Sequence, residues 1–191
     1  MSKPPANASG GTLRIVAGRL RGSRLAVPAI DGLRPTPDRV RETLFNWLAP
    51  FIDGARCLDL YAGTGALGIE ALSRGAANCT FVERDRLLCT QLRGNLERLK
   101  VAGARLVEAD AAAFLGGPAE PFDLVFLDPP FGANLWEATA QKLEQGGWLR
   151  AGAFVYVEAP VEAAFALPPG WAPHRESRAG AVRYALYRRL A

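Results

Sequence analysis

No stretch constrains the fold more than residues 122–131, FDLVFLDPPF. Leu124, Val125, Phe126 and Leu127 form a continuous apolar run, the pattern of a strand buried on both faces of a parallel sheet. The run stops at Asp128, Pro129 and Pro130. Two successive prolines lack the backbone N–H and fix φ, so they cannot continue a central strand. The expected result is a stiff elbow at the carboxyl end of a core strand, the edge where open α/β sheets bind ligands. The elbow offers two acceptors, the Asp128 carboxylate and the Pro129 carbonyl, which together suit the two hydrogens of an exocyclic amino group. Accepting from both would draw the nitrogen lone pair out of conjugation with its ring and aim it at an electrophile. Phe131 adds a flat face on which a base can stack, worth about 1–3 kcal/mol. Taken alone, Asp-Pro-Pro reads equally well as a turn after a strand.

The surrounding chain alternates. Arg56–Leu60, Thr80–Val82, Arg105–Val107, Asp123–Leu127 and Phe154–Val157 read as strands, and residues 67–73, 86–99, 111–115 and 135–143 as helices. Residues 178–181 look like a turn between two closing strands. This β-α-β-α order predicts an α/β fold with a mostly parallel, doubly wound sheet covered on both faces and an antiparallel hairpin at one edge.

Ahead of that domain, Leu13–Val27 carries two short runs, Arg14–Val16 and Arg24–Val27, around a Gly/Arg/Ser centre, and reads as a β-hairpin with arginines at its turn. Thr36 is placed to cap a helix that begins at Pro37, with Val40, Leu44, Trp47 and Leu48 as its apolar stripe and Arg39 and Arg41 off it. The organisation expected is a disordered tail over 1–11, a basic N-terminal hairpin and helix over 12–50, and the α/β domain over 51–191.

Charge is segregated along the 191 residues. The first 41 hold eight basic side chains against two acidic ones, residues 171–191 hold five arginines against one glutamate, and the middle is net acidic. Solubility alone requires no such segregation, so a phosphate-bearing partner is favoured. No apolar run reaches the roughly 18 residues of a membrane span, and the tail has no apolar segment of a signal peptide. Cys57, Cys79 and Cys89 lack C-x-x-C spacing and read as buried thiols in a reducing cytoplasm. No His/Cys/Asp cluster has metal-ligand spacing, and no metal is expected. His174 is expected at the surface, and Trp47, Trp136, Trp148 and Trp171 as packing or edge residues.

Residues 57–68, CLDLYAGTGALG, read as strand, glycine-rich turn and helix start. Gly63, Gly65 and Gly68 fit G-x-G-x-x-G, and Glu83 follows twenty positions after Gly63 at the end of the next strand. The glycines let backbone approach a ligand, and the carboxylate can accept ribose hydroxyls. Asp59 favours S-adenosylmethionine over a nicotinamide cofactor, because it can pair with an ammonium group and would repel a pyrophosphate. The helix that follows carries no cation for phosphate. Asp110, just after the third strand, is placed to accept from an adenine amino group. Each acid could separately be an ordinary strand-end cap; all of Asp59, Glu83, Asp110 and Asp128 falling beyond successive strands argues for a site.

DLYAGTGALG, FVERD, EAD and LDPPF together resemble the class I S-adenosylmethionine-dependent methyltransferases that act on exocyclic amines. RIVAGRLRG followed by RPTPDRVRETLFNWL resembles the bacterial family that methylates N2 of a guanine, position 966, in 16S ribosomal RNA. The resemblance implies a seven-stranded, Rossmann-like doubly wound sheet, S-adenosylmethionine as cofactor, and 16S rRNA as partner within the small ribosomal subunit or an assembly intermediate. A cytoplasmic monomer without metal is expected. Asp59, Tyr61, Gly63, Thr64, Gly65, Glu83, Arg84, Asp110 and Ala111 would then hold the cofactor. Asp128, Pro129, Pro130 and Phe131 would hold the target base, and Arg14, Arg19, Arg21, Arg24, Arg34 and Arg39 would grip RNA phosphates. The D-P-P-F elbow and glycine loop are shared with DNA adenine and cytosine aminomethyltransferases, which leaves DNA or another rRNA guanine as alternative substrates. An NAD(P)-dependent oxidoreductase would leave D-P-P-F unexplained; a non-catalytic RNA-binding module would bind RNA without methyl incorporation.

Overall fold

The computed structural model describes residues 10–30 and 33–190. Most of the tail expected over 1–11 lies outside the described residues. In chain order the elements are β1 (Thr12–Arg14), β2 (Arg24–Ala26), α1 (Asp38–Leu48), β3 (Arg56–Asp59), α2 (Ala66–Ser73), β4 (Asn78–Glu83), α3 (Arg86–Arg98), β5 (Ala104–Glu108), α4 (Ala111–Phe114), β6 (Phe122–Leu127), α5 (Trp136–Gln145), β7 (Leu149–Pro160), β8 (Trp171–Ala179) and β9 (Val182–Arg189). A single turn of 3₁₀ helix, Phe131–Ala133, follows the elbow.

Strands β3 to β9 form one seven-stranded sheet in the order β5-β4-β3-β6-β7-β9-β8. The first five positions pair parallel; β7 with β9 and β9 with β8 pair antiparallel, closed by the turn at Gly180. The chain steps outward from β3 to β5 and then returns to place β6 on the other side of β3. That reversal opens a crevice at the carboxyl ends of β3 and β6. Strand β7 begins earlier than the apolar run Phe154–Val157 suggested, because Leu149 pairs with Phe122 across an irregularity between Phe122 and Leu124.

Alternate residues of each strand face opposite cores. Cys57, Phe126, Phe154 and Tyr156 face α1, α2 and the β1–β2 hairpin, whose Leu13, Ile15 and Leu25 are buried against them. Leu58, Val125, Leu127, Val155 and Val157 face α4 and α5, where Trp136, Ala140 and Leu143 are buried. Trp136, Trp148 and Trp171 are packing residues, and Trp47 stacks on Tyr184 at 5.5 Å. The three cysteines are buried free thiols. His174 is half-buried and lies edge-on to the rings of Phe51 and Phe154.

The N-terminal helix corrects two expectations. Pro37, not Thr36, occupies the N-cap position, and no side chain caps the helix. The Thr36 hydroxyl instead donates to Glu158 at the end of β7, 3.3 Å away. Arg41, expected off the apolar stripe, is fully buried. Its guanidinium donates to Glu70 in α2 (3.2 Å), to Asp38 and to the carbonyls of Thr36 (3.2 Å) and Arg14 (2.8 Å). Four partners satisfy a charge that would otherwise be very costly to bury.

The hairpin is seated by polar clamps as well as by its apolar residues. Glu70 accepts from the backbone N–H of Val16 and Ala17, each at 2.9 Å, and from Arg74 at 2.9 Å. Ser73 accepts from Leu20 N–H at 2.9 Å and donates to the Ala17 carbonyl at 2.6 Å. Asn95 in α3 pairs with both backbone groups of Ala26. Gly18 has φ +81°, and a side-chain carbon there would fall 2.0 Å from the Ser73 carbonyl oxygen, so this contact requires glycine.

Candidate active site

The glycine turn after β3 is built as the spacing predicts. Gly63 and Gly65 have φ of +55° and +77°, open to glycine and strained for other residues. A side-chain carbon at Gly65 would lie 2.4 Å from Leu92, and one at Gly68 would lie 2.3 Å from the Phe81 ring. The third glycine thus lets α2 pack closely on β4. Thr64 is buried within the turn, and Ala111 is buried at the start of α4.

Carboxylates occupy the ends of four neighbouring strands. Glu83, after β4, accepts from Gly63 N–H through Oε2 and from Asp85 N–H through Oε1, both at 2.8 Å, which fixes the loop against the strand. Each of its oxygens keeps a second lone-pair direction for a ligand hydroxyl. Asp59 is buried and accepts from Gly68 N–H at 3.0 Å. Its carboxyl is raised to about 7, by burial first and also by the charge of Glu83, with the Gly68 bond acting in the opposite direction. Asp110 caps α4 through Oδ1, accepting from Ala112 and Ala113 at 2.8 and 3.2 Å. Its other oxygen stays exposed, 4.0 Å from the Arg84 guanidinium.

Asp128 stands at the carboxyl end of β6, half-buried, and among the described residues no donor pairs with its carboxylate. Its carboxyl is held well above the ordinary range by burial first, then by the charges of Glu158 and Asp59. Pro129 is buried and Pro130 exposed. The following turn uses the Pro130 carbonyl as acceptor for Ala133 N–H at 3.2 Å, which leaves the Pro129 carbonyl outside that turn. Phe131 is half-buried, its ring 6.1 Å from that of Trp136. Tyr61 is half-buried, and its hydroxyl shares a 2.8 Å hydrogen bond with Thr139 in α5.

The structure therefore brings Asp59, Gly63, Thr64, Gly65, Glu83, Arg84, Asp110 and Ala111 to one side of the crevice and Asp128 to Phe131 to the other. Residues 33–36, ahead of α1, reach both sides. Leu33 lies 3.8 Å from where a Gly63 side chain would begin, and Thr36 reaches Glu158 beside the elbow. Arg34, between them in sequence, is exposed. A separate recess of about 360 Å³ lies at the opposite, amino-terminal edge of the sheet, near Asp53, Asp123 and Arg150, and includes none of these residues.

The six candidate phosphate contacts, Arg14, Arg19, Arg21, Arg24, Arg34 and Arg39, are all exposed. Among the described residues none of them forms an ion pair. Arg14 and Arg24 are direct cross-strand partners in the hairpin, an arrangement of like charges that costs stability unless a polyanion occupies the face.

Sequence reasoning missed Glu70, Arg41, Ser73, Asn95 and Glu158. Glu70 had a signal: it is the one charged residue in ALGIEALS, a helix apolar all round, which must be buried and whose acid must therefore be paired. Among the described residues no group of three or more metal-ligating side chains is clustered, and no helix is long and apolar enough to cross a membrane.

A doubly wound sheet with a glycine turn, carboxylates at successive strand ends and a D-P-P-F elbow defines a Rossmann-like class I methyltransferase. A solved structure described as putative methyltransferase yhhF from Escherichia coli superposes with a TM-score of 0.88 at 49% identity, covering 95% of this chain and 99% of that one. The family described as conserved hypothetical protein 95 matches residues 13–188, and this chain belongs to it. It is 51% identical over 190 residues to ribosomal RNA small subunit methyltransferase D of Escherichia coli K12, covering 99% of this chain and 96% of the relative. The Haemophilus influenzae protein of the same name is 45% identical over 93% of this chain and 94% of its own length.

Proposed function

We propose that this protein transfers a methyl group from S-adenosylmethionine to the exocyclic N2 of a guanine in 16S ribosomal RNA, at position 966, in the small subunit or its assembly intermediate. The observation that carries the reading is the elbow. An acceptor-only carboxylate and a proline carbonyl stand at the end of β6, across the crevice from a glycine turn bordered by three further acids. The name of the relatives, which covers nearly the whole chain at half identity, supports ribosomal RNA of the small subunit as the substrate.

The residues on the glycine side fit the cofactor. Positive-φ glycines bring backbone close to a ligand; Asp59 offers a carboxylate to its ammonium, Glu83 free lone pairs to its ribose, and Asp110 an exposed oxygen to its adenine amine. When bound, S-adenosylmethionine supplies an electrophilic methyl carbon and leaves as the neutral thioether. Asp128 and the Pro129 carbonyl each accept one hydrogen of the guanine amino group, which localises the nitrogen lone pair on the side facing the crevice. As the nitrogen gains the methyl group it gives up one proton, and Asp128 is placed to receive that proton and return it to water. No covalent enzyme intermediate is required, and catalysis comes from positioning and from the preorganised acceptors. The guanine reaches the elbow unstacked, against Phe131.

Asp128→Ala should lower methyl incorporation at least 1,000-fold while leaving S-adenosylmethionine affinity by calorimetry unchanged. Labelled-methyl assays on ribosomal RNA, small subunits and duplex DNA identify the substrate. Incorporation into duplex DNA alone, or full turnover by the variant, would overturn the reading.

A further inference from the structure

We propose that Glu158, clamped by the hydroxyls of Tyr156 and Thr36, is a positioning residue whose negative charge keeps Asp128 basic enough to take the proton released by the target amine. The inference rests on the reading of Asp128 as the amine acceptor. Leu127 of β6 and Val157 of β7 are register partners. The residues that follow them, Asp128 just past β6 and Glu158 still within β7, therefore stand side by side, with backbones about 4.8 Å apart. Both share the parity of Phe126 and Tyr156, which face the N-terminal extension, so both acids belong to that same face.

Their surroundings differ in one respect. Glu158 is 6% exposed and its Oε2 accepts from Tyr156 Oη at 2.8 Å and from Thr36 Oγ1 at 3.3 Å. Asp128 accepts from no donor among the described residues. A carboxylate with two donors keeps its charge more readily than a neighbour with none. Of this pair, Glu158 is the resident anion and Asp128 the acid that gains and loses a proton. Asp59, on the same face of β3, adds a second negative charge, and Tyr156 of β7 lies edge-on to Phe126 of β6 while its hydroxyl donates to Glu158. Among the described residues no arginine or lysine pairs with Asp128. Burial raises Glu158 itself, and the two hydroxyls pull it back. The clamp also gives Thr36, in the segment that follows the basic hairpin, a direct link to the acid beside the elbow.

Glu158→Gln removes the charge while keeping the shape and an acceptor for both hydroxyls. The acid limb of kcat/KM, set by ionisation of Asp128, should move down by about 1–2 pH units, with plateau kcat falling roughly tenfold. The carboxyl carbon of Asp128, followed by ¹³C NMR in the cofactor-free protein, should titrate lower by a matching amount. Thr36→Val, which removes one donor, should move both readouts in the same direction by less, and it tests the idea if the glutamine variant does not fold. An unchanged pH profile together with an unchanged Asp128 titration overturns the proposal and leaves Glu158 as a tether for Thr36. Full turnover by Asp128→Ala would instead overturn the amine-acceptor reading, so the two failures are distinguishable.

Discussion

Arg41 Nη1 lies 3.2 Å from Glu70 Oε2, and both side chains are completely buried. The pair joins α1 to α2, the helix that begins at the glycine turn. Because Glu70 also accepts from the backbone of Val16 and Ala17, one carboxylate organises the whole root of the basic hairpin.

Removing that carboxylate should therefore do more than delete a salt bridge. Glu70→Ala leaves a buried guanidinium and two backbone donors without their acceptor, and should cost about 3–5 kcal/mol in urea denaturation. Trypsin should then cut after Arg19 and Arg21 faster than in the parent protein. Unchanged stability would mean that Asp38 and water replace Glu70.

Asp59 supplies a pH dependence of known sign. Its carboxyl is raised from 3.8 to about 7 on folding, so the folded state binds the proton more tightly than the unfolded one. The associated stability is complete below about pH 4 and is lost as pH rises through 7. Asp59→Asn keeps an oxygen for Gly68 N–H and carries no charge. It should be more stable than the parent by roughly 2–4 kcal/mol at pH 8 and equal to it near pH 4. The same variant should bind S-adenosylmethionine more weakly, since it loses the partner for the ligand's ammonium.

The hairpin arginines should act through salt-sensitive phosphate contacts. Arg14→Ala with Arg24→Ala should weaken binding of the ribosomal RNA substrate and lower the log–log salt slope by about 0.7–0.9 per lost contact. Cofactor affinity should not change. A slope unaltered by the double variant would remove these side chains from the RNA interface.

Phe131→Ala should reduce kcat/KM by roughly 5–150-fold, the equivalent of about 1–3 kcal/mol of base stacking, with S-adenosylmethionine binding preserved. A melting temperature close to that of the parent would separate lost stacking from lost packing on Trp136.

The sheet was legible in the sequence because its signals are local. Four apolar residues ended by two prolines mark a buried strand and its stop, and glycines at fixed spacing mark a turn that no other residue fits. Asp59, Glu83, Asp110 and Asp128 could be placed at strand ends by counting, since strand and helix periods are set by the backbone alone. What counting could not decide was the company each side chain keeps. Arg41 was expected off the apolar stripe of its helix; it is buried because Glu70, twenty-nine residues away, neutralises it. Thr36 had the right spacing for a cap, yet its hydroxyl serves Glu158, 122 residues on. Hydrogen bonds between distant segments leave no periodic trace, so tertiary structure alone decided which polar groups are buried, which are clamped, and which acid at the crevice has no donor among the described residues.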